Sequence, residues 1–356
     1  MVSGKRILYY STLAVLLLYF LFAGLIKAKP ILAPFAVATV LALLVFPLSR
    51  KMEKRSIKRT WASLLNTFFL FILSLGFIAL FSMQVKNLVD DWPKIKETMK
   101  PKVEKLKGFV FEHTPLSQKD LKKSSKGALS IPFISTGSKP GQKAATFFSK
   151  VMSFFGTYLL TFIYIFFILN YRKHFRKFLL RLFPDEKRIR IQKVILKSAT
   201  VIQQYLIGKL ILIAFLSIFY SIGLGLSGVS NFILVSVLAA IFSIIPYVGN
   251  VIGFGMAMVF GYLTSGNPAV LIGISLTFFI GQFVESYIME PYIVGDKVDL
   301  HPFITILVVV VGNMVWGLIG MILAIPLLAI VNIIFLNVHS LEPFGFLLSK
   351  EKKTGQ

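Results

Sequence analysis

Five long apolar runs, Ile7–Ile26, Ile31–Leu48, Trp61–Met83, Phe147–Tyr171 and roughly Val201–Leu226, constrain this chain more than any other feature. A helix needs about 20 apolar residues to cross ~30 Å of hydrocarbon. In lipid every backbone N–H and C=O must find a partner inside the protein, so such runs fold as helices. Composition agrees, with 56% apolar and 15% charged residues, against about 45–50% and 25% in soluble proteins. A disordered chain, a coiled coil and an ordinary soluble enzyme are excluded. The reading is an all-α polytopic membrane protein with about 7–8 membrane segments, two of them broken, and a small external insertion.

The net charge of +24 sits mainly between the apolar runs. Residues 49–60, 84–146 and 172–198 carry +5, +7 and +8. Loop cations that flank spans account for this charge better than nucleic-acid binding does, so no nucleic-acid partner is expected. Short basic loops stay cytoplasmic, which puts 49–60, 172–198 and the N-terminus inside and the long 84–146 insertion outside. Lys5-Arg6 ahead of the first run resembles a signal peptide. The run is too long for a typical apolar core of about 7–15 residues, so it reads as an uncleaved first span that also directs insertion.

The organisation expected is three spans in 1–83, then a Lys-rich helical and loop insertion in 84–146. Spans in 147–228 follow, with a basic amphipathic interfacial segment at 172–198. A core of two Gly/Pro-broken hairpins occupies 229–338, and a tail 339–356. Within the insertion, Leu88, Trp92, Ile95, Met99, Val103, Leu106 and Val110 recur at helical spacing, interrupted by Pro101. Residues 124–141 read as loop.

Phe232–Leu263 and Phe303–Leu336 are long for one span and short for two. The first is broken at Ile245-Pro246-Tyr247-Val248-Gly249-Asn250, the second at Val311-Gly312-Asn313, Gly317, Gly320 and Ile325-Pro326. Val-Gly-Asn thus occurs in both. Broken segments at membrane depth must be buried in protein or line a wet cavity, and a pair of them points to a transporter's binding site. The alternative is two kinked helices whose glycines allow close packing.

Between them, Gln282, Glu285 and Met289 fall on one helical face beside Ser286, with Glu290-Pro291 closing the run and Gly295 beyond. A carboxylate inside a span is costly and marks a functional-site candidate, with an interfacial or paired Glu as the alternative. Lys209 is the basic residue well inside a span. It either snorkels to the cytoplasmic interface, the favoured reading, or pairs with Glu285 or Glu290. The transport-pathway candidates are Pro246, Gly249, Asn250, Gln282, Glu285, Glu290, Pro291, Gly295, Gly312, Asn313, Gly317, Gly320 and Pro326.

No catalytic residues, metal ligands or cofactor are expected. The chain has no cysteine, and its four histidines, at 113, 174, 301 and 339, are scattered. There is no Gly-x4-Gly-Lys-Ser/Thr phosphate loop, no nucleophile–base set, and no Asp inside an apolar run. The chain reads as a non-enzyme.

Ile245-Pro246-Tyr247-Val248-Gly249, Met289-Glu290-Pro291 through Gly295, Leu300-His301-Pro302, Gly317–Leu327 and Tyr205-x-x-Gly208 resemble, in order and spacing, elements of the autoinducer-2 exporter family of bacterial membrane proteins. The family commonly has Gln where this chain has Lys209. The resemblance implies a multi-pass protein of the bacterial inner membrane, assembled as a homo-oligomer with re-entrant elements. It also implies export of the signal autoinducer-2, or exchange of sodium or lithium for protons. The leading expectation is a secondary exporter of a small polar solute, coupled to H⁺ or Na⁺. A cation/proton antiporter and a non-transporting membrane scaffold are the rivals.

Overall fold

The computed structural model of the protein describes residues 4–90, 93, 97, 101, 140–265, 267–294 and 300–350. Expectations for the insertion beyond Asp90, for Gly295 and for 296–299 therefore lie largely or wholly outside the described residues. Among the described residues the chain is helical throughout and contains no strand. Among the described residues seven helices are long and apolar enough to span a bilayer, which makes this an all-α polytopic membrane protein.

Helices α1 (Gly4–Lys27) and α2 (Lys29–Lys54) are separated by a single residue, Ala28. Helix α3 (Arg59–Asp90) is followed by α4 (Pro140–Arg181) and α5 (Asp185–Leu226). Ala38, Ala42 and Val45 of α2 pack against Phe162, Ile165 and Leu169 of α4 and Leu70 of α3. Two alanines one turn apart let the backbones approach, the packing rule where lipid removes any hydrophobic drive between helices. At one end of this group Arg172 of α4 donates to Ser49 Oγ at 3.1 Å, pairs with Glu53 and lies 5.0 Å from the centre of the Phe46 ring. Arg59 at the start of α3 reaches the same Glu53 at 3.9 Å. One carboxylate thus ties three helices together at the basic end of the molecule. Helix α1 buries none of its span in the chain; Trp316 Nε1 donates to its Leu25 carbonyl at 2.9 Å.

The expected interfacial segment at 172–198 is instead the extension of two long helices. Helices α4 and α5 have 42 residues each and meet at the turn Leu182–Pro184. At ~1.5 Å per residue each is about 60 Å long, twice the hydrocarbon thickness, so the cations ride on helix ends projecting beyond the bilayer.

Past α5 lie two helical hairpins. Helix α6 (Phe232–Phe242) and helix α7 (Val248–Ser265) form the first, and helix α9 (Pro302–Trp316) and helix α10 (Leu318–Leu336) the second. Helix α8 (Pro268–Phe283) runs between them and continues as a π-helix over Val284–Val294. The breaks fall a little away from the expected places. The first occupies 243–247, so Val248-Gly249-Asn250 opens α7 rather than interrupting it. The second is confined to Gly317, at φ 67° and ψ −139°, a conformation open to glycine and strained for other residues.

Glycines close both hairpins. A Cβ on Gly249 would run into the Phe242 carbonyl, and a Cβ on Gly320 into the carbonyl of Gly312. The same device docks α8 antiparallel on α5, where Gly273 meets Ser227, Gly223 meets Thr277 and Gly281 meets Tyr220. Each step down α5 is matched by a step along α8. A short helix, α11 (Glu342–Leu348), then folds back, its Leu348 carbonyl accepting from His301 N at 2.8 Å.

Candidate functional site

The register of α5 and α8 leads into a cavity of about 720 Å³, within the usual size of small-molecule sites. Five segments build most of its lining. Helix α5 gives Tyr205 and Lys209, and the first hairpin gives Ser243, Pro246, Tyr247 and Asn250. Helix α8 gives Gln282, and its π-helical continuation gives Glu285, Ser286, Glu290 and Pro291. Thr305 of α9 and Lys350 after α11 complete it.

The backbone is irregular on two sides. Tyr247, at the first hairpin's tip, holds φ 63°, a strained choice for a bulky side chain and a conformation that concentrates at functional sites. Opposite it, the π-helix carries both carboxylates. π-Turns are rare and favour functional sites. The wider turn brings residues five apart closer to one face than an α-helix does, and Glu285 and Glu290 both line the cavity. Met289, expected on the polar face from α-helical spacing, instead packs with the apolar cluster around Tyr205 and Ile245. Pro291 lacks an N–H and sits inside this wider turn.

A chain of hydrogen bonds runs across the cavity wall. Asn250 Nδ2 donates to Gln282 Oε1 at 2.6 Å and to Glu285 Oε2 at 3.1 Å. Gln282 Nε2 donates to Ser286 Oγ at 2.8 Å. Asn250 Oδ1 is buried with no hydrogen-bond partner among the described residues, leaving one acceptor unused at the cavity. Glu285 is only 4% exposed and Lys209 only 5%. Lys209 Nζ lies 3.6 Å from Glu290 Oε1. The snorkelling favoured for Lys209 is thus corrected: the α5–α8 register brings its ammonium to Glu290, and a buried ammonium needs that partner.

Of the thirteen sequence candidates, Pro246, Asn250, Gln282, Glu285, Glu290 and Pro291 line this cavity. Gly249, Gly312 and Gly320 sit where helices cross, and Gly317 makes the second turn. Pro326 is buried within α10. Asn313 is exposed and accepts, through its carbonyl, the hydrogen bond of Gly317 N at 2.8 Å. The structure does not bring it to Asn250, although both follow Val-Gly. Tyr205, Ser243, Tyr247, Thr305 and Lys350 are lining residues that the sequence reading did not place there. For Tyr247 the Ile-Pro-Tyr break was a usable signal. For Lys350, in a tail with no pattern, there was none.

A multi-pass helical protein with a buried, charged cavity between a broken hairpin and a π-distorted span has the architecture of a membrane transporter. The chain matches the family described as AI-2E family transporter over residues 11–340, and belongs to that family of membrane transporters. It is 26% identical over 314 residues to "Putative transport protein YueF" of Bacillus subtilis (strain 168), covering 86% of this chain and 83% of that one. A second Bacillus subtilis transport protein of the same designation, YrrI, is 30% identical over 133 residues, 37% of each chain. A likewise designated protein of Mycobacterium tuberculosis is 29% identical over 110 residues, 31% of this chain and 30% of the other.

Proposed function

We propose that this chain is a secondary transporter that exports a small polar solute through the cavity between α5, the first hairpin and the π-helix. Glu285 and Glu290 couple the movement to protons or cations. The observation that carries this reading is the buried Asn250–Glu285–Gln282–Ser286 network on irregular backbone. Such polar groups are expensive at span depth and are kept where a solute or ion passes. A hydroxylated signal molecule of the autoinducer-2 kind is the first cargo to test, because the wall offers acceptors at Asn250 Oδ1 and the carboxylates. The chain would work as a homo-oligomer in the bacterial inner membrane, with the basic loops and N-terminus cytoplasmic and 84–146 outside.

The test is a flux panel in proteoliposomes, with H⁺, Na⁺, Li⁺ and sugar-like signal molecules under imposed gradients. Gradient-driven solute movement, lost in Asn250→Ala, supports the reading. Solute flux equal to that of empty liposomes under every gradient overturns it. The two carboxylates at one cavity also favour a second reading, cation/proton antiport. It requires that Glu285→Gln or Glu290→Gln abolish pH-dependent sodium flux, whereas a neutral-solute exporter keeps flux independent of both. If deletion of 116–141 destroys function while hairpin substitutions are harmless, the protein is a membrane scaffold instead.

A further inference from the structure

We infer that Lys209 is a built-in cation: its ammonium occupies, beside Glu290, the place a free monovalent cation would otherwise take, so the cavity holds its two carboxylates together without sodium or lithium. Among the described residues Lys209 is the one buried Lys, Arg or His. It faces Glu290 at 3.6 Å, and the Glu290 side chain is 50% exposed on the cavity side. Glu285 stands five residues away on the same π-helix, accepting from the amide of Asn250 at 3.1 Å. The other ionisable groups lining the cavity are Tyr205, one turn from Lys209 on α5, Tyr247 at the first hairpin's tip, and Lys350, which is exposed at the mouth.

The position of the ammonium is built in from outside the cavity. Gly223 on Thr277, Gly281 on Tyr220 and Gly273 on Ser227 lock the antiparallel register that sets residue 209 against residue 290. Apart from the exposed Lys350 at the mouth, the two carboxylates and the one buried ammonium of the wall leave a single uncompensated negative charge. Without the ammonium there would be two, in a low-dielectric wall where an uncompensated charge is strongly unfavourable. Oxygen ligands from both carboxylates suit a small hard cation, which would bind where the ammonium had been. For transport, where the inference rests on the proposed function, the consequence is coupling through protons rather than through sodium.

The test is melting of the detergent-solubilised full chain in sodium, lithium or choline chloride at equal ionic strength, which requires no transport assay. Wild type and Lys209→Arg are expected to melt alike in all three salts. Lys209→Gln is expected to become cation-dependent. A ligand that binds only the folded state raises the melting point with its logarithm, by about 2–4 °C per tenfold rise in sodium above its dissociation constant. Lys209→Gln/Glu290→Gln should lose that dependence. The inference is overturned if Lys209→Gln melts identically in sodium and choline, or if the double variant keeps the sodium response. It is equally overturned if Lys209→Gln is unfolded in every salt while the double variant folds, since a free cation then does not replace the ammonium. A flat sodium response with intact solute flux would sink this inference alone; absent flux with a sodium-responsive Lys209→Gln would sink the transport reading alone.

Discussion

Asn250 holds two side chains with one amide. Its Nδ2 reaches both Gln282 and Glu285, so Asn250→Ala strips the buried carboxylate of its donor and orphans the Gln282 carbonyl. Leaving buried polar groups unpaired costs about 1–3 kcal/mol. Asn250→Ala should lower the melting temperature and cut solute flux in proteoliposomes at least tenfold; unchanged flux would remove Asn250 from the pathway. Tyr247 predicts the opposite sign for stability. A side chain in the left-handed region costs about 1–2 kcal/mol, while glycine in its place costs about 0.5–1 kcal/mol of extra chain entropy. Tyr247→Gly should therefore melt slightly higher, by up to about 1 kcal/mol, yet transport less, because the ring lines the cavity. A variant that is both less stable and fully active would contradict the account of strain held at the hairpin tip.

The helices and their breaks divide what the sequence made legible from what it hid. Apolar length gave the spans, and Gly/Pro punctuation gave both hairpins, because lipid leaves few ways to place such residues. The repeated Val-Gly-Asn was half informative. Gly249 and Gly312 perform the same task, bringing the arms of each hairpin within backbone contact, but only Asn250 faces the cavity. The π-helix was hidden, since its effect is a change of period: α-helical spacing paired Glu285 with Met289, and the wider turn pairs it with Glu290. Lys209 was misjudged for a related reason. Its partner is fixed by inter-helix register, which is set by glycine contacts at Tyr220, Gly223 and Ser227, more than ten residues further along the chain. Glycine at a close crossing supplies an element-scale prediction. Gly320→Ala puts a Cβ into the Gly312 carbonyl and should destabilise by about 1–3 kcal/mol or more. Gly255→Ala, in α7 with nothing within 4 Å of the added Cβ, should be neutral or stabilising by up to about 1 kcal/mol. Melting of the two variants in detergent checks the pair, and equal losses would mean the close crossing is not what requires glycine. Gly249→Leu and Gly312→Leu should block transport while the protein still inserts in the membrane, read by flux and membrane fractionation.

Across the whole molecule the two hairpins point opposite ways. The first begins beyond the end of α5 remote from the Arg172–Glu53 cluster. Its α6 arm of 11 residues reaches about 16 Å inward at ~1.5 Å per residue, and its tip packs beside Tyr205, halfway along α5. The second begins next to α11 and ends with Trp316 on Leu25 and Gly317 near Lys29, at the turn between α1 and α2. That turn is the end of α2 opposite Glu53, so the second tip lies at the far side from the basic end. The cavity is bounded by Pro302 and Lys350, both at the base of the second hairpin, and therefore opens toward the basic end. On the proposed function, solute held at the first tip has water access on one side, and we propose that its path to the other side runs past the hairpin crossing at Gly312 and Gly320. Because the chain has no cysteine, single cysteines report this directly. In intact cells, and then in inverted vesicles, a membrane-impermeant thiol reagent should label Tyr247→Cys from the side that carries the basic loops. It should label Asn313→Cys from the opposite side. Added solute that protects Tyr247→Cys but not Asn313→Cys would place binding at the first tip. Labelling of both positions from the same face would refute the opposed-hairpin arrangement, and failure of position 247 to react from either face, in every gradient, would close the cavity to water and leave the polar wall without a transport role.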